Sequence, residues 1–319
     1  MEKRSIGRLR GLQQCSSSRF TFTVLALDHR QNLRRALNPQ NPGAVSDAEL
    51  SQFKLDVVAA LAKSATAVLL DPEVSAAQAI AAQTLPGHVG LIVAVEATGY
   101  TGEPGARRSQ ILPGWSVEKA RRMGANMIKL LVYYHPQAPT AGEIETFVAQ
   151  VGAESLKYDL PLMLEPLSYS LDGAPLSDDE KRWVVIETAR RLTAIPGVDV
   201  LKAEFPLTAQ NKDEVMWREA LEALHTASAV PWILLSAAVD FETYLRQVAL
   251  ACHCGASGIA VGRAVWQEAV SMDARARNDF LQAVARERLE RLAALCYALG
   301  QPWTNYFGGD APFDWYKTY

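Results

Sequence analysis

Short apolar runs recur along the chain, separated by longer stretches in which apolar positions repeat with a helical period. The runs are FTVLAL at 22–27, TAVLL at 66–70, GLIVAV at 90–95 and NMIKLLV at 126–132, followed by LPLMLE at 160–165, DVLKAE at 199–204, WILLS at 232–236 and SGIAVG at 257–262. Each has the length and composition of a strand. Between the first two, DAELSQFKLDVVAALAKS places Phe53, Val57, Ala60 and Leu61 on one helical face, and Ser46, ahead of Asp47 and Glu49, is in position to cap the helix start. Eight strands alternating with helices predict a parallel sheet, and the count of eight favours closure into a single (β/α)8 TIM barrel over an open doubly wound sheet.

The length of 319 residues suits one such barrel, since barrels run at roughly 250 residues and grow by insertion. No low-complexity linker divides the chain, so residues 1–319 are expected to form one barrel domain. Two segments depart from the alternation. The Gly- and Pro-rich stretch 97–115 follows the third strand, where an active-site loop or a surface excursion is expected. The aromatic tail from about residue 299, QPWTNYFGGDAPFDWYKTY, is expected to pack against the barrel or a neighbouring molecule.

Composition narrows the function classes. Hydrophobic residues make up 49% and charged residues 21%, enough to bury a sizeable core. A formal net charge of −3 offers no general attraction to nucleic acid or anionic lipid, so any anion recognition must be local. The basic N-terminus followed by FTFTVLAL imitates a secretory signal, but the run stops at Asp28-His29-Arg30 with no small-residue cleavage site and reads as a first strand. With no apolar stretch near 20 residues, a cytoplasmic protein is expected. Cys15, Cys252, Cys254 and Cys296 are too sparse for a disulfide framework, and Cys252-His253-Cys254 lacks the further ligands of a zinc site. His29, His88, His135, His225 and His253 are scattered, so no metal site is expected. No Gly-x-Gly-x-x-Gly turn or Walker loop follows a strand, and no nucleotide cofactor is implied.

In a barrel, polar residues at the C-terminal strand ends converge on one face. Here they are Asp28 and Arg30 after strand one, Asp71 after strand two, Glu96 after strand three, Lys129 in strand four and Glu165 ending strand five. Lys202 and Glu204 follow in strand six, Ser236 in strand seven, and Gly262-Arg263 after strand eight. In strand six, Val200, Lys202 and Glu204 share one face, while Leu201, Ala203 and Phe205 form a wholly apolar other face suited to the helix layer. Lys202 should therefore point into the barrel, where Lys129 as a second cation, together with desolvation, would favour a neutral and nucleophilic amine. The competing reading is a structural ion pair of Lys202 with Glu165 or Glu204. Glu165 is a candidate general acid/base, whereas Asp71 and Glu96 could equally cap a following turn. Gly262 and Arg263, near the end of the barrel, match the usual phosphate position of this architecture.

These residues stand in blocks that resemble the class I, Schiff-base-forming tagatose-1,6-bisphosphate aldolases, together with the related sulfofructose-phosphate aldolases. The resemblance is carried by LALDHR at 25–30, LLDPE at 69–73, TGY at 98–100, WSVEKARRMGANMIKLLVYYHP at 115–136 and LMLEPLSY at 162–169. It continues in VDVLKAEFP at 198–206, LLSAAVDFE at 234–242 and GASGIAVGRAVW at 255–266, and so covers nearly the whole chain. The resemblance implies that Lys202 forms the Schiff base, that Glu165 is the general acid/base, and that Asp28 and Lys129 belong to the same pocket. It further implies that Ser236, Gly262 and Arg263 hold the phosphate of the ketone half. Where the family usually has Asp-Gln-Arg, this chain has Asp28-His29-Arg30, a departure that bears on the far end of the substrate.

The activity so implied is reversible cleavage of a ketose 1,6-bisphosphate to dihydroxyacetone phosphate and glyceraldehyde 3-phosphate, with no metal or cofactor, in a homo-oligomer. Arg30, and Arg107 or Arg108 from the long loop, are the basic residues expected to meet the distal anion. A 6-phosphate carries more charge than a sulfonate, which favours the bisphosphate over the alternative, 6-sulfofructose 1-phosphate. An alternative of another class, a non-catalytic sugar-phosphate sensor, would have no need of both Lys202 and Glu165.

Overall fold

Eight parallel strands close on themselves in chain order: β1 (Phe22–Ala26), β2 (Ala67–Leu70), β3 (Gly90–Ala94), β4 (Met127–Tyr133), β5 (Leu162–Leu167), β6 (Val198–Ala203), β7 (Trp232–Leu235) and β8 (Gly258–Val261). The coordinates are a computed structural model that describes every residue except Met1, Ala238 and Thr318. Phe22 of β1 pairs with Gly258 and Leu25 with Val261 of β8, so the barrel has no open edge. The expected (β/α)8 TIM barrel is the fold observed, with helices on the outside of every crossover.

The helix Asp47–Leu61 shows how local chemistry sets these elements. Ser46 Oγ accepts the Glu49 N–H at 3.2 Å, and the Glu49 carboxylate accepts the Ser46 N–H at 2.8 Å, a reciprocal cap that satisfies two otherwise orphaned donors. Its inner face buries Leu50, Phe53, Val57, Val58 and Leu61 against the barrel. The largest displacement from the expected strands is in β5, anticipated at 160–165 and observed two residues later. Pro161 has no N–H to give to the ladder; its carbonyl accepts the Ile128 N–H instead, and regular pairing begins after it.

Strand β6 holds a bulge: Leu162 pairs with Val198 but Met163 with Val200, leaving Asp199 as the extra residue. Its fully buried carboxylate accepts the Leu162 N–H at 3.1 Å, Arg4 Nε at 2.8 Å and Arg8 Nε at 3.2 Å. This cluster ties the N-terminal helix Ile6–Gln14 across the end of the barrel opposite the strand C-termini. The first half of the aromatic tail docks at the same end. Trp303 is buried and donates to Ser16 Oγ at 3.0 Å, and Phe307–Gly308 pairs in parallel with Glu2–Lys3. From Gly309 to Lys317 the tail is exposed. The four cysteines are free and buried. Among the described residues, no helix is long and apolar enough to cross a membrane.

Candidate active site

The C-terminal strand ends open into a cavity of about 690 Å³. Asp28, His29 and Arg30 reach it from the segment after β1, Glu96 from the end of β3, Lys129 and Tyr133 from β4, and Glu165 from β5. Lys202 and Glu204 enter from β6, Ser236 from the end of β7, and Gly262 and Arg263 from the turn after β8. Ten of the eleven strand-end residues expected to converge, all but Asp71, therefore line one cavity, with His29 beside them.

The two lysines are treated unequally. Lys129 Nζ is fully buried and meets three carboxylates: Asp28 Oδ2 at 2.6 Å, Glu96 Oε1 at 2.8 Å and Glu165 Oε2 at 2.8 Å. Lys202 Nζ meets one, Glu165 Oε1 at 2.7 Å. Burial opposes the charge on Lys129, but Asp28, Glu165 and Glu96 outweigh it and hold the ammonium well above its ordinary value. Burial likewise works to raise Asp28 and Glu165, and the Lys129 and Lys202 cations outweigh it, keeping both carboxylates ionised. For Glu96 burial wins and pushes the carboxyl up. The expectation that Lys129 acts on Lys202 as a bare like charge is thus corrected. Three carboxylates close around Lys129, and Glu165 stands between the two ammonium groups.

Ion pairing of Lys202 falls to Glu165 and not to Glu204, whose carboxylate instead accepts the Ser168 N–H at 2.6 Å. Burial pushes Glu204 up. At the other side of the cavity, Gly262 N–H points to Ser236 Oγ at 3.5 Å, and Arg263 opens the short helix Arg263–Trp266. A side chain at position 262 would come within 2.9 Å of the Ala26 carbonyl and 3.0 Å of His29 Cε1, so the close packing of this turn requires glycine. His29 stacks edge-on against Trp266 at 5.5 Å, and burial lowers its pKa to about 4, leaving a neutral imidazole at physiological pH.

Three expectations about the rim are corrected. Arg30 lines the cavity but is engaged by the Glu73 carboxylate at 2.5 Å and the Glu96 carbonyl at 2.9 Å, so it braces the wall and is not free for a distal anion. Arg107 stacks on Tyr100 and Tyr169, each ring centroid 4.4 Å from its guanidinium carbon, and Arg108 pairs with Glu143 at 2.7 Å on the surface. Asp71 is outside the cavity: it pairs with buried Lys54 and accepts the N–H groups of Glu73 and Val74, the capping alternative. The 97–115 stretch is an antiparallel hairpin, with Ala97 bonded to Gln110 and Thr101 to Arg108. Its rising limb, Thr98 to Tyr100, forms part of the cavity wall.

Of the remaining contributors, Glu96 reads in the sequence as either a site carboxylate or a cap, and Arg35 is not singled out there. Glu96 is a full member of the Lys129 cluster, and its Oε2 also accepts the Leu131 N–H at 3.0 Å. Arg35 reaches the cavity mouth from the helix Gln31–Leu37. A carboxylate at a strand end and an arginine in a short helix carry no sequence mark that separates them from caps and solvated residues.

Comparison with known proteins identifies the family and the fold. Tagatose 1,6-diphosphate aldolase of Lactococcus lactis subsp. lactis is 27% identical over 322 residues, covering 93% of this chain and 97% of the relative. The tagatose 1,6-diphosphate aldolase of Staphylococcus aureus (strain N315) is 29% identical over 287 residues, covering 83% and 86%. Among solved structures, a Schiff-base-forming fructose-1,6-bisphosphate aldolase superposes with a TM-score of 0.62 at 23% identity, covering 90% of this chain and 98% of that one. A fructose-bisphosphate aldolase from Slackia heliotrinireducens superposes with a TM-score of 0.62 at 16% identity, covering 92% and 89%. These structural likenesses speak for the barrel. Residues 22–268, which hold every strand of the barrel and every residue of the lysine and carboxylate cluster, match the DeoC/LacD family aldolases, and the chain belongs to that family.

Proposed function

We propose that this aldolase is of class I and reversibly cleaves a ketose 1,6-bisphosphate of the tagatose or fructose type, through a Schiff base on Lys202. The observation that carries the reading is the unequal pairing of the two buried lysines around Glu165. Lys129, with three carboxylates, is a fixed charge. Lys202, with one, is the amine that can be released for attack. The names of the relatives support the choice of substrate class.

Lys202 passes a proton to Glu165, 2.7 Å away, and its lone pair attacks the ketose C2. A proton moves from nitrogen to oxygen to give the carbinolamine. Glu165 then returns its proton to the hydroxyl, which departs as water as the nitrogen lone pair forms the C2=N bond of an iminium. As the C3–C4 bond breaks, its electron pair enters the iminium to form an enamine, and Glu165 accepts the C4 hydroxyl proton, releasing glyceraldehyde 3-phosphate. Glu165 next protonates C3, and water hydrolyses the iminium to dihydroxyacetone phosphate and free Lys202. Lys129 keeps Glu165 and Asp28 ionised between these steps. Ser236, Gly262 and Arg263 are the groups that would hold the C1 phosphate, with Asp28 and His29 lining the path of the carbon chain.

Borohydride added with dihydroxyacetone phosphate should inactivate the enzyme irreversibly and leave the added mass on Lys202, because a reduced imine cannot hydrolyse. An adduct on Lys129 would reverse the assignment, and the absence of any adduct would remove the Schiff base. Glu165→Gln should still form the trapped adduct, while kcat for cleavage falls by roughly a hundredfold or more, as for a lost general acid/base. Cleavage at the wild-type rate in that variant would move the proton transfers to another carboxylate.

A further inference from the structure

Five cationic side chains line the cavity: Arg30, Arg35, Lys129, Lys202 and Arg263. Three are already paired with carboxylates: Lys129 with Asp28, Glu96 and Glu165, Lys202 with Glu165, and Arg30 with Glu73. Among the described residues, no carboxylate lies within ion-pair distance of Arg263 or Arg35. Arg263 is half-buried beside Ser236 and Gly262. Arg35 is exposed at the mouth, and its one polar side-chain contact among the described residues is to the amide oxygen of Asn32, at 3.2 Å. Two guanidinium groups without counter-ions, one deep and one at the rim, are the charge layout for a ligand with an anion at each end.

We propose that Arg35 determines specificity for the anion at the far end of the ketose, a proposal that rests on the reading of this cavity as a ketose phosphate site. The other basic residues near the mouth are committed elsewhere: Arg30 to Glu73 and the Glu96 carbonyl, Arg107 to the rings of Tyr100 and Tyr169, and Arg108 to Glu143. Releasing any of them would strand a carboxylate or expose an aromatic face, whereas Arg35 gives up only a neutral amide contact. A guanidinium fork donates to two oxygens of a tetrahedral anion, and phosphate and sulfonate share that geometry. The shared chemistry is therefore a distal tetrahedral oxyanion, with more charge to gain from the phosphate dianion.

The test measures binding without chemistry. Titration calorimetry on the full chain would compare a hexitol 1,6-bisphosphate, the matching hexitol 1-phosphate, and the 6-deoxy-6-sulfohexitol 1-phosphate. These ligands have no carbonyl and form no imine. The wild type should prefer the bisphosphate over the monophosphate by about tenfold or more, the scale of a charge-assisted pair. Arg35→Ala should reduce that preference to within about twofold, Arg35→Lys should keep part of it, and Arg108→Ala should leave it intact. A wild type without the preference, or a preference that survives Arg35→Ala, overturns the proposal. If the Arg35-dependent preference is found but no adduct forms on Lys202, the subsite stands and the Schiff-base reading falls. In the sulfonate arm, binding as tight as the bisphosphate with the same dependence on Arg35 would assign the site to a sulfonate, and weaker binding assigns it to a phosphate.

Discussion

Lys202→Arg is expected to abolish both cleavage and borohydride trapping, with kcat falling by roughly four orders of magnitude or more, the scale seen when a covalent nucleophile is removed. Arginine keeps a positive charge beside Glu165, so the ion pair that holds the carboxylate is replaced and not simply deleted. A guanidinium stays protonated throughout the accessible pH range and has no lone pair to offer C2. The variant therefore separates charge from nucleophilicity. Mass spectrometry after borohydride treatment and a coupled assay for glyceraldehyde 3-phosphate read the two losses independently, and a thermal melt near that of the wild type would confirm that the barrel is intact. Turnover within tenfold of the wild type would show that Lys202 serves only as the counter-ion of Glu165.

Lys129→Met is expected to cost stability as well as activity. Its ammonium is the shared partner of Asp28 and Glu165 and a partner of Glu96, all at the buried end of the cavity. Deleting one member of a buried ionic cluster typically costs about 3–5 kcal/mol, because the remaining charges lose their compensation. The pH dependence gives this loss a signature. In the wild type, burial tends to raise Asp28 and Glu165, and the cations hold them below their ordinary values. Their contribution is present above the unfolded carboxylate pKa near 4 and lost as pH falls through the folded values. In the variant, burial acts with less opposition and raises those carboxyls, so protonating them relieves the folded state. The stability gap between wild type and variant, read from denaturant midpoints, should narrow between pH 7 and pH 5. A gap of equal size at both values would mean that the carboxylates have found other partners.

Much of this architecture is legible in the chain because it depends on local periodicity. Eight apolar runs separated by helical stretches require a parallel sheet, and side-chain alternation in β6 is enough to turn Lys202 inward. Ser46 and Glu49 form the capping box that starts the helix Asp47–Leu61, a feature decided within four residues. The bulge at Asp199 was not legible. It depends on Arg4 and Arg8, almost 200 residues away, arriving to neutralise a carboxylate at the base of the barrel.

The sequence by itself determined the barrel and most of the residues gathered at its C-terminal face, since both follow from periodicity and from position along each strand; Asp71, which turned away, and Arg35, which comes from a helix, are the exceptions. Only the tertiary structure decided what each charge is for. Lys129 and Lys202 are alike in sequence, each an isolated cation in an apolar strand, and they differ because Asp28 and Glu96 arrive from other strands to enclose the first and not the second. The same holds for Arg30 and Arg35, five residues apart, one paired with Glu73 and the other, among the described residues, meeting only the Asn32 amide at the mouth. Coulomb energies inside a protein depend on separations of a few ångströms between groups remote in the chain, and those separations exist only once the barrel has closed.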